Sequence, residues 1–513
     1  MHQNQRVYQP GGSLPDLPHT VFLPDWLRRE EPHAAQSVGV SLYTLMQRAG
    51  AAAFHIARQH YPAARHWLIL CGHGNNGGDG YVMATLARAA GITATVVAVS
   101  GDRPLPSEAH LARQAWHDAG GSEQHSEAPW PDNVDLIVDG LLGTGLASAP
   151  RAPYDALIAQ ANHHPAPIIA LDIPSGLNAH TGAYAGAVIH AAHTVTFITL
   201  KPGLLTGQAR DVVGQLHHHD LGLGDWLVEQ TAPIARLTAD LLTQWLTPRR
   251  PGAHKGDHGR LLIIGGDEGT GGAVFMAGEA ALRSGAGLVR VLTHKNYLAA
   301  LLVARPELMV QELTTDSVKE GVEWADVVVV GPGLGQREWG KNALRVVENC
   351  NKSMLWDADA LNLLAISPHK RQNRVLTPHP GEAARLLNCR IADIESDRLL
   401  AAQRLVKRYG GVVVLKGAGT VLASEQGDVA IADVGNPGMA TGGMGDVLAG
   451  MIGAMLAQGL SLYDATCAGC VAHGAAADWL ARRQGTRGML ATDLMAVLPQ
   501  YVNPERISLE NTE

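Results

Sequence analysis

Short apolar runs rich in Val, Ile and Leu alternate with segments of helical period along nearly all of this 513-residue chain. This alternation restricts the fold more than any other feature, because repeated strand-helix-strand units close on mostly parallel sheets covered by helices. The first half is expected to place strands at residues 66–71, 93–99, 135–138, 168–171 and 194–199, with helices such as 80–90 and 107–119 between them. The second half repeats the pattern at 260–264, 288–292, 326–330, 354–356, 375–377 and 412–415 and ends in helices at 445–458 and 464–481. Between them the pattern loosens, and Leu246-Thr247-Pro248-Arg249-Arg250-Pro251-Gly252 breaks it. The expected boundary lies near 225 to 235, giving domains at 1–225 and 230–503.

Composition narrows the function classes. Lys plus Arg is 40 and Asp plus Glu 48, with no long run of either sign, which argues against a nucleic-acid partner. No apolar stretch is long enough to cross a membrane, and Met1 to Pro24 is polar without a hydrophobic signal core. The five cysteines are scattered, so reduced thiols and a cytoplasmic protein are expected. Cys467 and Cys470 form a lone C-x-x-C inside a helical pattern and read as buried small residues, and the run from His217 to His219 reads as solvent-facing.

The 58 glycines exceed the usual share of about 7%, and they concentrate where strands give way to helices. Cys71-Gly72-His73-Gly74-Asn75-Asn76-Gly77-Gly78-Asp79-Gly80 offers exposed N–H groups and a helix dipole to a phosphate. It has no P-loop lysine. Asp139 and Asp172-Ile173-Pro174-Ser175-Gly176 end two further strands, so Asn76, Asp139, Asp172 and Ser175 are expected to line one crevice, with oxygen donors suited to a hard cation. In the second half, residues 265–273, 331–335, 357–362, 377–382 and 416–420 each follow a strand. Thr441-Gly442-Gly443-Met444-Gly445-Asp446 opens a helix whose amides suit a transferring phosphoryl group, with Asp446 placed to take a proton.

Together these motifs resemble a known family. Residues from about Val38, through Asn75 to Asp79, Asp139, Gly143 to Gly145 and Asp172 to Gly176, are similar to NAD(P)H-hydrate epimerases. His254-Lys255-Gly256, Asp357 to Asn362, Thr377 to Glu382, Lys416 to Thr420 and Gly442 to Asp446 resemble ADP/ATP-dependent NAD(P)H-hydrate dehydratases. The resemblance implies an α/β protein with a Rossmann-like three-layer domain followed by a ribokinase-like α/β domain. It also implies repair of NADH or NADPH hydrated at C6 of the nicotinamide ring (NADHX and NADPHX): the first domain interconverts the R and S epimers, and the second dehydrates the S form.

The same resemblance implies K+ at Asn76, Asp139 and Ser175, and substrate along Asn75, Asn76, Gly77, Gly78, Asp79, Gly143, Thr144, Gly145, Leu146, Ala147, Ser148, Ala149 and Asp172. In the second domain it puts the hydrate near Ala273, Gly333, Gly335, His379 and Asp446. The adenine nucleotide, ADP rather than ATP, goes to Lys416, Gly417, Ala418, Gly419, Thr420 and Gly445, with Mg2+. Asp172 and Asp446 are the expected catalytic groups, and a homo-oligomer is expected. The sequence departs from the family pattern in two places: residues 146–151 are Ala-rich, and 268–273 lack the aromatic that usually precedes Gly-Ala. The alternative is a ribokinase-like kinase for a small vitamin precursor with an accessory nucleotide-binding domain; a noncatalytic nucleotide sensor is a third reading.

Overall fold

The computed structural model describes residues 17–506; the first sixteen residues of the polar leading segment lie outside them. The described chain divides into two compact units, with the boundary between Ala235 and Arg236.

The first unit holds a seven-stranded sheet of β1 (His66–Cys71), β2 (Thr93–Ala98), β3 (Glu123–His125), β4 (Leu136–Gly140), β5 (Ile168–Leu171), β6 (His193–Phe197) and β7 (Gln215–His219). Its order is β3-β2-β1-β4-β5-β6-β7, and every pairing is parallel. Period-two alternation splits each strand between two cores: Trp67 and Ile69 pack on one face with Leu45 and Ala53, Leu68 and Leu70 on the other with Leu157 and Ile158. Both faces are therefore apolar, and helices cover them to make three layers. The chain runs outward from β1 to β3 and then returns to β4, so the strand order reverses between β1 and β4, where open sheets leave a crevice.

The second unit is built on β8 (Arg260–Ile264), β9 (Leu288–Thr293), β10 (Met309–Glu312), β11 (Val327–Val330), β12 (Ser353–Trp356), β13 (Arg374–Leu376) and β14 (Val412–Leu415), followed by β15 (Thr420–Ser424) and β16 (Val429–Ala432). The order β16-β15-β14-β13-β12-β11-β8-β9-β10 is parallel from β14 to β10 and antiparallel through β15 and β16. Here the reversal falls between β8 and β11. Helices Gly271–Arg283 and Met444–Ala457 pack closely because Gly450 has no side chain: a Cβ there would lie 2.1 Å from the Ala277 carbonyl oxygen.

Two local expectations change. The glycine segment is not a loop up to Gly80: helix Asn75–Ala89 already begins at Asn75. Short or polar strands at Glu123–His125, Gln215–His219 and Met309–Glu312, and the antiparallel pair Thr420–Ser424 and Val429–Ala432, were not legible from apolar periodicity.

Candidate functional site

A cavity of about 680 Å³ opens over the C-terminal ends of β1, β4, β5 and β6. Asn75, Asn76, Asp79, Gly143, Thr144, Gly145, Leu146, Ala147, Ser148 and Asp172 line it, together with Lys201 and Glu31. Gly77, Gly78 and Ala149 do not line it. Gly77 is buried where a Cβ would meet the Gly72 oxygen at 2.1 Å, and Gly78 where it would meet Met46. Both let the first helical turn approach its neighbours.

Beneath the cavity, Asp139 is fully buried and accepts hydrogen bonds from Ser175 Oγ (2.5 Å), Ser175 N (2.8 Å) and Leu141 N (3.2 Å). Burial outweighs these bonds and raises its carboxyl to about 6. Asn76 donates through Nδ2 to the Leu142 carbonyl at 3.0 Å, while its buried Oδ1 has no hydrogen-bond partner. An orphaned amide oxygen, a buried carboxylate and a hydroxyl form an all-oxygen set that fits a hard cation.

At the cavity wall, Lys201 is fully buried and its ammonium donates to Asp172 Oδ1 (2.5 Å), Thr196 Oγ1 (2.9 Å) and the Phe197 carbonyl (2.8 Å). Thr196 Oγ1 and Phe197 N donate to the same carboxylate oxygen. Asp172 and Ile198 have φ of 60° and 64°. For a β-branched residue such as Ile198 this conformation costs about 1–3 kcal/mol, and it persists only where surrounding contacts hold it. Burial and the charges of Asp172 and Glu31 push Asp79 well above the ordinary carboxylate range, against the opposing pull of Lys201. Glu31 is raised by burial and then by Asp172. Asp172 therefore holds the ammonium directly, while Asp79 and Glu31 lie in the same field with carboxyls shifted upward.

In the second unit, Asp357 receives hydrogen bonds from Lys416 Nζ (3.1 Å) and Thr377 Oγ1 (2.8 Å). Ala358, at φ 49° and ψ −120°, turns the chain so that Asp359 can accept from Gly335 N at 2.9 Å. Gly445 lies against this pair: a Cβ there would be 3.2 Å from Lys416 Nζ. Asp446, in the first turn of Met444–Ala457, is raised to about 7 by burial and by Asp357, with Lys416 opposing. Burial likewise raises Glu382, which Lys416 offsets. Asp357, Glu382, Lys416 and Asp446 therefore form one electrostatic group. His379 caps the neighbouring helix, its Nδ1 accepting from Gly381 N and Glu382 N. Ala273, Gly333 and Gly335 sit at the β8 and β11 ends, where Thr270 donates to the Gly333 carbonyl. Gly417 and Ala418 are exposed, while Gly419 is buried and Thr420 starts β15.

Sequence reasoning passed over Lys201 and Glu31 and gave Asp357 no role of its own. Lys201-Pro202-Gly203, just past an expected strand end, was the available signal for the first. The histidine run also departs from expectation. His217 and His218 are half-buried on an edge strand, and only His219 is exposed. Burial and neighbouring imidazoles pull His193 down to about 3 and His217 to about 4. Cys467 and Cys470 are buried free thiols in helix Leu462–Gln484.

Residues 42–203 match the family described as YjeF-related protein N-terminus, and 261–500 match NAD(P)H-hydrate dehydratase. The bifunctional NAD(P)H-hydrate repair enzyme of Escherichia coli K12 is 67% identical over 489 residues, covering 95% of each chain. A crystal structure of a ribokinase-like superfamily protein from Enterococcus faecalis V583 is 33% identical with a TM-score of 0.50, over 54% of this chain and 97% of its own. The Bacillus subtilis ADP/ATP-dependent NAD(P)H-hydrate dehydratase, co-crystallised with ATP and Mg2+, is 29% identical with a TM-score of 0.47, over 52% of this chain and 96% of its own.

Proposed function

The chain belongs to the bifunctional NAD(P)H-hydrate repair enzymes, which join an NAD(P)HX epimerase to an NAD(P)HX dehydratase, and from that premise we propose how its residues divide the work. Epimerisation is assigned to the first unit and S-specific dehydration to the second, with bounds at 1–225 and 230–503.

For dehydration the carrying observation is Asp446, half-buried and in the field of the Lys416–Asp357 pair at a glycine-rich helix start. Hydroxide is a poor leaving group and phosphate a good one. Asp446 takes the proton of the C6 hydroxyl, whose oxygen attacks the terminal phosphoryl of ADP and releases AMP. The amides of residues 442–445 stabilise the charge spreading over the phosphoryl oxygens. The ring nitrogen's lone pair then expels phosphate from C6, and loss of a C5 proton restores the dihydronicotinamide. Lys416 and the 417–420 segment would hold the adenine nucleotide, and Ala273, Gly333, Gly335 and His379 the hydrate. Asp357 and Glu382 offer hard oxygens that fit Mg2+, which when bound neutralises phosphate charge.

For epimerisation, Asp172 acts as the acid/base at C6, held in place by Lys201, while the Asn75 helix start and the 143–149 loop receive the pyrophosphate. Asn76, Asp139 and Ser175 would hold K+, which supplies the positive charge the buried Asp139 lacks. A cytoplasmic location is supported by five free cysteines, and no helix among the described residues is long and apolar enough to cross a membrane. Homo-oligomeric assembly follows from the family resemblance alone.

Hydrated NADH mixed with ADP and the protein tests the whole reading: dihydronicotinamide absorbance returns, with AMP and phosphate formed in equal amounts. An ordinary kinase or a sensor gives no recovery.

A further inference from the structure

Away from both candidate sites, three histidines meet at one edge of the first unit. His60 is the last residue of helix Leu42–His60, His193 opens β6, and His217 lies in the middle of the edge strand β7. The register pairs His193 with Gln215 and Val195 with His217, so His193 and His217 point to the same face of the sheet. That face also carries Val195 and packs against Ala53 and Ala57 of the helix. The packing brings the helix end, and with it His60, over the two strand histidines.

His193 Nδ1 and His217 Nε2 are 3.0 Å apart, and one nitrogen from each of the three rings falls within 4.8 Å of the others. The His60 ring centroid is 4.3 Å from His193 and 5.2 Å from His217. Two imidazole nitrogens on one tetrahedral zinc, at metal–nitrogen distances of about 2.0–2.1 Å, lie about 3.3 Å apart. The pair on the sheet already has nearly that spacing, and His60, half-buried at a helix end, brings the third nitrogen within 4.8 Å of both. His60 is the last residue of its helix, so the three rings lie near the negative C-terminal pole, which favours a cation.

We infer that His60, His193 and His217 form a binding site for a borderline divalent transition-metal ion, Zn2+ by its nitrogen donor set, with a fourth position open to water. The site is separate from the epimerase cavity. That cavity touches the same helix at Leu42, Leu45, Met46 and Ala49, and His60 lies about 16 Å further along at a rise of 1.5 Å per residue. It also occupies the opposite side of the sheet's crevice edge, since His193 begins β6 whereas the cavity lies past the strand's end. A metal here would tie the helix end to β7, one of the two edge strands of this sheet.

The test uses full-length protein stripped with a chelator and titrated with Co2+ as a spectroscopic probe, followed by Zn2+. The expected result is one equivalent of Co2+ with the intense visible bands of a four-coordinate ion held by three nitrogens and a water, and no thiolate charge-transfer band. Zn2+ should displace it and raise the first unfolding midpoint. H60Q and H217Q should each lose that equivalent and the Zn2+-dependent rise while keeping wild-type circular dichroism. Should H217Q fail to fold, H60Q decides alone, because its side chain is half-buried at a helix terminus. Wild-type protein that takes up no Co2+, or a folded H60Q that binds it as wild type does, overturns the inference.

Discussion

Lys201 Nζ lies 2.5 Å from Asp172 Oδ1, with the lysine wholly removed from solvent and two more carboxyl groups, Asp79 and Glu31, within its field. Removing the ammonium leaves Asp172 paired only with Thr196 and a backbone amide. Lys201→Met should cost the first unit about 3 kcal/mol, in the range for breaking a buried pair, read as an earlier denaturant midpoint. Epimerisation should fall and its pH profile shift, whereas S-hydrate dehydration stays at the wild-type rate. An unshifted pH profile would reduce Lys201 to a structural role.

Asp446→Asn keeps the shape of the helix start and removes the proton acceptor. Dehydration should drop by about 10²–10⁴-fold, the usual contribution of a general base, while R-to-S conversion proceeds as before. Single-turnover measurement with purified S-hydrate and ADP separates this from a loss of binding.

The Asp446 carboxyl, raised to about 7 by burial and Asp357, must be ionised to accept the proton. Dehydratase kcat/KM should therefore rise with pH through about 7 and level off above it. A profile flat from pH 5 to 8, the span over which about 7 would be crossed, contradicts the assignment.

Asp139 gives an independent check with its own sign. Its folded value, about 6, is above the ordinary 3.8, so the protonated form favours folding and that stability is lost as pH rises through about 6. A cation bound by Asn76, Asp139 and Ser175 offsets this loss only when the carboxylate is ionised. K+ should raise the unfolding midpoint of the first unit well above pH 6 and have little effect below pH 4, outside the interval between the two values. Equal K+ effects at both ends would place the ion elsewhere.

The backbone crossing at Gly72 is testable by contrast with its neighbour. A Cβ at Gly72 would lie 1.7 Å from the Leu141 carbonyl oxygen, whereas one at Gly74 meets nothing within 4 Å. Gly72→Ala should destabilise the first unit by about 3 kcal/mol or more and abolish epimerisation. Gly74→Ala should leave stability within about 0.5 kcal/mol, as followed by thermal unfolding.

What could be read from the sequence follows from how each element is stabilised. Strands such as His66–Cys71 and Val327–Val330 are buried on both faces, so they appear as unbroken apolar runs. Gln215–His219 is an edge strand whose His217 packs against His60 and His193, partners that no local pattern announces. Asn75–Ala89 starts among glycines because Gly77 must pass the Gly72 carbonyl, a tertiary demand that overrides helix propensity. Asp172 and Asp446 stand out at strand ends and helix starts. Lys201 and Asp357 matter through what surrounds them: a lysine just past an expected strand end reads as exposed until the fold closes over it, and Asp357 is one acid among several until Lys416 and Thr377 converge on it.

The division of labour is tested most directly by following dihydronicotinamide recovery from a mixture of R and S hydrates with ADP in excess. Wild-type protein should recover the whole mixture. Asp172→Asn should give a fast phase equal to the S fraction and then a slow remainder, and Asp446→Asn should give no recovery. Full, single-phase recovery by Asp172→Asn, or any normal recovery by Asp446→Asn, would contradict the account.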